Sequence, residues 1–171
     1  MADPNTIYKM TVLTMLDKVD FPLSNTQIAN FFLEYDYTDY FTIQQIISSL
    51  LDSELLRCKS THGNTQYSIT ALGKDTLRFF EDKITPAIES DMRNYFAKNG
   101  MEFKNENAVT ADYYKSTDTG FQVHCQLKEK NSPVIELTVH VQSKAQAEAV
   151  CKNWQEQNIE IYTYLMDMLI Q

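Results

Sequence analysis

Hydrophobic residues in the first third of the chain recur every three to four positions, which is the spacing of amphipathic helices. This pattern predicts three helices within the first 52 residues, from about 5 to 19, after Ser24 and after Thr42. The second and third starts carry capping boxes, because Ser24 and Thr42 are followed three residues later by Gln27 and Gln45. The apolar pairs placed as hydrophobic staples around these starts are Leu23 with Ile28 and Phe41 with Ile46.

The pattern changes from helical to alternating after the third predicted helix. Apolar positions around Leu56 and Tyr67 predict two short strands, joined by the turn-rich segment Thr61-His62-Gly63-Asn64. Thr70 is then placed to cap a fourth helix. Residues 1–83 are therefore predicted to form three helices, a β-hairpin and a fourth helix.

Two segments of this region resemble the winged-helix regulators of the PadR and MarR families. Tyr67-Ser68-Ile69-Thr70-Ala71-Leu72-Gly73-Lys74 is similar to their Tyr-x-Leu/Ile-Thr-x-x-Gly-Arg/Lys segment, which leads from the second wing strand into the next helix. Leu50-Leu51-Asp52-Ser53-Glu54-Leu55-Leu56 is similar to their Leu-x-x-x-Gly-Leu-Ile exit from the recognition helix, except that Ser53 or Glu54 replaces the Gly. The resemblance implies a winged helix-turn-helix domain over 1–83. The whole chain resembles a bacterial family of unknown function in which such a domain precedes a short α/β tail.

A connecting helix is predicted over 84–100. It starts with Pro86 at the first helical position after Thr85, and the pair Asn99-Gly100 is expected to stop it. Its apolar stripe contains Ile84, Ile88, Met92, Tyr95 and Phe96.

Residues 101–171 are expected to form an α/β dimerisation or effector domain. Three segments alternate strictly between apolar and polar positions, which predicts a three-stranded antiparallel sheet with one apolar face. A long helix with a capping box at Ser143 is expected to cover that face with Trp154. It either breaks at Asn158 or runs unbroken to Ile170, beyond the length of the sheet. The side chains expected to be buried together in this sheet are Val123, Cys125, Leu137 and Val139. The fold class predicted for the whole chain is α+β.

The resemblance implies a transcriptional regulator in which the third helix enters the major groove of double-stranded DNA. The candidate base-contacting residues of that helix are Thr42, Gln44, Gln45, Ser48 and Ser49. The candidate residues of the wing are Arg57, Lys59, His62 and Asn64. Since such regulators usually pair, a homodimer is expected. Its interface would use apolar residues of helix 86–99 and of the end of the last helix, namely Tyr162, Leu165, Met166 and Leu169.

The charge of the chain keeps a second hypothesis open. The net charge is −8, residues 1–83 contain 7 Lys+Arg against 11 Asp+Glu, and no cation lies between Lys18 and Arg57. Phosphate contacts need local positive charge. Aromatic residues interleaved with acids over 35–41 suit a protein partner better. A winged-helix protein–protein interaction module without DNA binding is therefore the alternative.

No motif of an enzyme stands out in the sequence. The chain has no phosphate loop, no nucleophile elbow and no His-rich metal motif, so we expect no enzyme, no cofactor and no metal. The scattered Cys58, Cys125 and Cys151 are typical of reduced thiols in the cytoplasm. With no apolar run of 18 residues and no signal peptide, a cytoplasmic protein that does not bind membranes is expected.

Overall fold

The computed structural model of the chain describes residues 3–61, 64–130 and 132–171 and, for Thr61 and Asn64, the backbone alone. The fold is mixed α+β, with helices at the N-terminus, two three-stranded antiparallel sheets and a long C-terminal helix. The chain divides into two compact units, Met1–Lys104 and Asn105–Gln171. The helices are α1 Pro4–Lys18, α2 Asn25–Glu34, α3 Tyr40–Asp52, α4 Ala71–Phe79, α5 Pro86–Ala108 and α6 Lys144–Leu169, with a 3-10 turn at Glu81–Lys83. The strands are β1 Leu23–Ser24, β2 Leu56–Thr61, β3 Asn64–Ile69, β4 Val109–Lys115, β5 Phe121–Glu129 and β6 Ser132–Val141.

Helix α1 lies at the centre of the first unit. Its buried residues are Met10, Thr11, Val12, Leu13, Met15 and Leu16, which point in all directions around the helix axis. A helix that is apolar all round is one that other elements surround, and α1 packs against α3, α4 and β3. The one buried hydroxyl of this set, on Thr11, donates a hydrogen bond to the carbonyl of Ile7. The core of the first unit is therefore built around α1.

The short strand β1 joins the hairpin to the start of α2. Leu23 pairs with Tyr67 and Ser24 with Gln66, which makes a sheet in the order β1-β3-β2. The sequence did not predict this strand, because two residues are too short to show alternation. Ser24 also caps α2, as its capping box predicts.

The first turn of α4 lies against the backbone at the exit of α3. As predicted, Thr70 caps α4: its hydroxyl accepts a hydrogen bond from the amide of Gly73 and donates one to the carbonyl of Glu54. A Cβ atom on Gly73 would lie 2.3 Å from the carbonyl oxygen of Leu55. The spacing Thr-x-x-Gly thus has a steric cause, since only a residue without a side chain allows this approach.

Helix α5 runs further than the sequence predicts. It starts with Pro86 after Thr85 as expected, but the predicted stop at Asn99-Gly100 is wrong, because the helix continues to Ala108. Asn99 donates from its side chain to the carbonyl of Tyr95. Beyond it, Phe103 is buried in the core of the first unit, which holds the added turns in place.

The second unit is the predicted antiparallel meander, with α6 over its apolar face. Strand order is β4-β5-β6, and cross-strand pairs such as Cys125 with Leu137 confirm the predicted register. Val123, Cys125 and Trp154 are buried together, and Leu137 is partly buried. The predicted burial of Val139 is wrong: it is 39% exposed. Its strand, β6, lies at the sheet edge, and α6 covers β4 and β5 more fully.

Helix α6 is continuous from Lys144 to Leu169 and does not break at Asn158. The Asn158 side chain is buried and donates to the carbonyls of Trp154 and Gln155 one turn earlier. A buried amide is stable in a helix when its donor is used in this way. The alternative of an unbroken helix is therefore the one observed.

We expect Gly73→Ala to destabilise the protein by about 1–3 kcal/mol, because the added Cβ must displace backbone at Leu55. The matched control is Gly100→Ala, whose Cβ would meet only Phe96 Cβ at 3.9 Å. That change should stabilise α5 by about 1 kcal/mol, since alanine is the better helix former. Urea denaturation of both variants measures the free energies of unfolding. A Gly73→Ala protein as stable as the parent would contradict the close approach of α4.

Candidate functional site

The outward face of α3 is a single narrow stripe. The inward residues Ile43, Ile46, Ile47 and Leu50 are buried in the core. The exposed residues on the opposite side are Phe41, Gln45, Ser48 and Asp52. Their spacing of four, three and four residues aligns them along one side of a helix.

The predicted base-contacting residues divide between this stripe and its margins. Gln45 and Ser48 are exposed on it, whereas Thr42 and Ser49 are half-buried beside it. Gln44 also was expected to face away from the core, but it is half-buried. Its Nε2 atom is inaccessible and has no hydrogen-bond partner among the described residues. The outward polar set of α3 is therefore smaller than the pattern of the sequence suggested.

The predicted start of α3 at Thr42 is wrong. The helix begins at Tyr40 and its cap is Asp39, whose carboxylate accepts a hydrogen bond of 2.7 Å from the amide of Thr42. That hydrogen bond lowers the pKa of Asp39. The predicted staple of Phe41 with Ile46 is also wrong, because Phe41 is 80% exposed. The earlier start places Phe41 on the outward stripe instead.

Both helices of the α2–α3 pair end in Schellman motifs formed without glycine. After α3, Leu55 donates its amide to the carbonyl of Leu50 and Glu54 donates to Leu51. Glu54 has φ 61, a left-handed conformation that glycine adopts more easily. The resembled families have glycine in this turn. In this chain Glu54 takes that place and adopts the left-handed conformation itself. Asp36 has the same role after α2, with φ 56.

Helix α5 holds the α2–α3 pair in place through side-chain hydrogen bonds. The hydroxyl of Tyr95 donates to the carbonyl of Gln27 at 2.6 Å, and the hydroxyl of Tyr37 donates to Asp91 at 2.5 Å. Burial, followed by the bond to Asp91, raises the pKa of Tyr37. Both tyrosines also pack against the ring of Phe31. Helix α5 is thus bonded to α2 and to the segment that joins α2 with α3.

The aromatic residues of segment 35–41 fall into two groups. Tyr35 and Tyr37 pack around Phe31 and belong to the core. Tyr40 is 48% exposed, and its hydroxyl accepts a hydrogen bond from the side-chain amide of Asn25. Tyr40 and Phe41 are therefore the exposed aromatic residues of this segment, whereas Tyr35 and Tyr37 are half-buried.

The hairpin β2–β3 presents two cations on one face. Arg57 and Lys59 occupy positions two residues apart on β2, and both side chains are exposed. Their partners on β3 are Ser68 and Gln66. The other face of the hairpin contributes Leu56 and Tyr67 to the core. Arg57 and Lys59 therefore point away from the core. Of the other predicted hairpin residues, His62 lies outside the described residues, and Asn64 is described only as the start of β3.

Acids accompany these cations on the surface of the first unit. Asp39 and Asp52 are exposed at the two ends of α3. On α4, Arg78 lies 3.4 Å from Asp75, and both side chains are largely exposed. Around the hairpin and α4, the exposed cations that make no ion pair among the described residues are Arg57, Lys59 and Lys74, and further exposed cations such as Lys18 and Arg93 lie elsewhere in the first unit.

The described residues contain no group of three or more His, Cys, Asp or Glu that could hold a metal ion. His124 lies 3.6 Å from Glu136 on the polar face of the second sheet, and both are partly exposed. Burial, together with the nearby Cys151, raises the pKa of the Cys125 thiol to about 11, which disfavours a reactive thiolate. Over the part of the chain that the structure describes, no helix has the length and apolarity to cross a membrane.

The structure defines a protein of mixed α+β class with two three-stranded antiparallel sheets and an outward polar stripe on α3. The chain belongs to the family described as Domain of unknown function (DUF4364), which it matches over residues 8–169. No curated protein and no solved structure matches it. The family description assigns no activity, so a function has to be argued from the site.

We expect Asp39→Ala to lower the thermal midpoint at neutral pH, because the first turn of α3 loses its cap. The folded state lowers the pKa of Asp39, so its stabilisation is present above the unfolded-state value of about 4 and disappears as pH falls through the folded-state value. The difference between the two proteins should therefore shrink below about pH 4.

Asp39→Asn is the matched control, because asparagine caps helices as well as aspartate does. Its midpoint at neutral pH should stay close to that of the parent. Thermal unfolding followed by circular dichroism from pH 3 to pH 7 measures the parent, the two Asp39 variants and Thr42→Ala. A greater loss from Thr42→Ala than from Asp39→Ala would show that Thr42 is the cap after all.

Proposed function

We propose that the first unit is a winged helix-turn-helix domain and that the protein is a DNA-binding transcriptional regulator. The observation that carries this proposal is the pairing of β1 with β3. This pairing ties the hairpin to the start of α2 and so fixes the position of the hairpin relative to the α2–α3 pair. In this proposal α3 is the recognition helix and β2–β3 is the wing.

The outward stripe of α3 supports DNA as the ligand. A major groove admits a helix, and the N-terminal residues of a recognition helix contact base edges. Gln45 and Ser48, the sixth and ninth of the 13 residues of α3, are exposed polar residues of its outward stripe. A glutamine amide pairs with adenine through two hydrogen bonds, and a serine hydroxyl bonds to several base groups.

The wing supplies the backbone contacts in this proposal. Arg57 and Lys59 are exposed on one face of β2, two residues apart and about 7 Å from each other along the strand. Phosphates of one strand are spaced about 3.4 Å apart along the helix axis, so this distance corresponds to about two phosphate steps. With so few cations and with Asp52 on α3, affinity for random DNA is expected to be weak and its salt dependence shallow.

We also propose a homodimer, in which the end of α6 pairs with a second copy. The apolar side of α6 packs on the sheet as far as Ile161, and the same side of the helix carries Leu165, Met168 and Leu169 beyond it. Leu165 is half-buried, as are the predicted interface residues Tyr162 and Met166. Leu169 is 75% exposed. The other predicted surface, α5, is less available, because Ile88, Met92 and Tyr95 are buried in the first unit. A dimer would present two recognition helices to a two-fold site.

Binding of a protein partner through α3 is the second candidate function. The observation in its favour is the exposure of Tyr40 and Phe41 beside the carboxylate of Asp39. Aromatic side chains are enriched at protein interfaces. Both proposals use the same face of α3. A titration with DNA separates them, because the first proposal predicts binding and the second predicts none.

Two kinds of variant should change DNA binding in different ways. Arg57→Ala and Lys59→Ala should weaken binding to all duplexes and lower the salt slope by about one for each phosphate that is no longer neutralised. Gln45→Ala should relax preference at one base step, at a cost of about 1–3 kcal/mol. Arg93→Ala, an exposed cation on α5, is the charge-matched control. Fluorescence anisotropy with the protein's own promoter region and a random duplex, at two salt concentrations, measures each effect.

Equal and negligible binding of the parent protein to both duplexes at low salt would reject the DNA proposal and favour the protein partner. A salt slope that Arg93→Ala lowers as much as Arg57→Ala would reject the wing as the source of the phosphate contacts.

The dimer is tested by Leu169→Glu, which places a charge on the exposed end of the α6 stripe. Sedimentation at micromolar concentration should show a dimer for the parent and a monomer for the variant, because burying an unpaired carboxylate is costly. Leu72→Glu, on the half-exposed Leu72 of α4, should stay dimeric. A monomeric parent would contradict the proposal.

A further inference from the structure

Phe41 lies at the N-terminal end of the outward stripe of α3. At 3.6 residues per turn, positions 41, 45 and 48 fall within about 60° of one another and lie opposite the buried stripe. Phe41 is 80% exposed and contributes nothing to the core clusters of the described residues. The outward stripe therefore begins with a large apolar group, followed by the amide of Gln45 and the hydroxyl of Ser48.

The position of Phe41 along the helix matters as much as its direction. It is the second residue of α3, after the cap Asp39 and Tyr40. The N-terminal residues of a recognition helix are among those that contact base edges. Among the four bases, only thymine presents an apolar group in the major groove, its C5 methyl, and phenylalanine is one of the side chains that pack against it.

We infer that Phe41 is a specificity-determining residue that recognises the methyl group of a thymine in the major groove. This inference rests on the proposed DNA-binding function and names the base chemistry that the site selects. The contact is apolar, with no hydrogen bond, so it distinguishes thymine from cytosine and from uracil.

The spacing of Phe41 and Gln45 along α3 predicts a short DNA sequence that the helix recognises. A rise of about 1.5 Å per residue separates Phe41 from Gln45 by about 6 Å along the helix axis. Bases of one strand stack about 3.4 Å apart, so the two side chains reach base pairs about two steps from each other. If Gln45 pairs with adenine, the recognised site contains a thymine and an adenine within about two base pairs.

Because of the charges around α3, binding must depend more on base contacts such as that of Phe41. Asp39 and Asp52 flank the stripe, and no Lys or Arg lies within α2 or α3. Phosphate attraction at this helix is therefore small, and recognition must depend on contacts with base edges.

The test starts with selection of bound duplexes from a random library by the full-length chain. Each thymine of the selected site is then replaced in turn by deoxyuridine, which removes only the methyl group. The parent protein should bind about fourfold more weakly at one position, as expected for the loss of one buried methyl group. Phe41→Ala should bind the thymine and deoxyuridine duplexes equally.

Phe79→Ala is the matched control, because Phe79 on α4 is 84% exposed and lies outside the proposed DNA-contacting residues. It should keep the parent's fourfold preference for thymine. Thermal unfolding checks that both variants are folded, as expected for residues this exposed.

The outcomes separate this inference from the function on which it rests. Failure to select any sequence rejects DNA recognition, and the role of Phe41 with it. Selection of a site where deoxyuridine has no effect at any position, or where Phe41→Ala keeps the parent's preference, overturns the thymine contact alone. A contact with a protein partner, in place of DNA, would give the first of these results.

Discussion

The first unit depends on the close approach between the first turn of α4 and the exit of α3. The hydroxyl of Thr70 binds the carbonyl of Glu54, its amide binds the carbonyl of Leu55, and Gly73 leaves room for that same carbonyl. This contact fixes where the hairpin leaves α3 and where it returns. Because β3 ends immediately before Thr70, the register of the hairpin and the position of Arg57 and Lys59 follow from it.

The orientation of α3 depends on packing around it and not on its own exposed residues. Its buried stripe packs against α1, and the tyrosines at 37 and 95 bond the α2–α3 pair to α5. Such contacts leave one side of α3 free. That side is available for recognition, since its residues take no part in holding the fold together.

The second unit is held together by packing of α6 on its sheet. Trp154 anchors α6 on the sheet, and its indole donates to the carbonyl of Gln126. Ile161 is the last residue of α6 that packs against the core of the second unit. The excess length of α6 is thus the physical basis of the proposed dimer.

Much of the fold was predictable, because local signals carry it. The capping boxes at Ser24 and Ser143 act between residues three apart, and the alternation of β4 to β6 reflects one buried face. These features need no knowledge of distant parts of the chain. The same holds for the cap at Thr70, although the reason for Gly73 lies in the distant carbonyl of Leu55.

The composition of the candidate site was decided by tertiary structure. The sequence placed polar residues and Phe41 near the start of one helix and predicted Thr42 as its cap. The folded helix is capped by Asp39 instead, Phe41 is exposed, and Gln44 is half-buried. The sequence by itself determined which elements form and roughly where. The tertiary structure decided which side chains face solvent, because burial depends on neighbours brought together from distant parts of the chain.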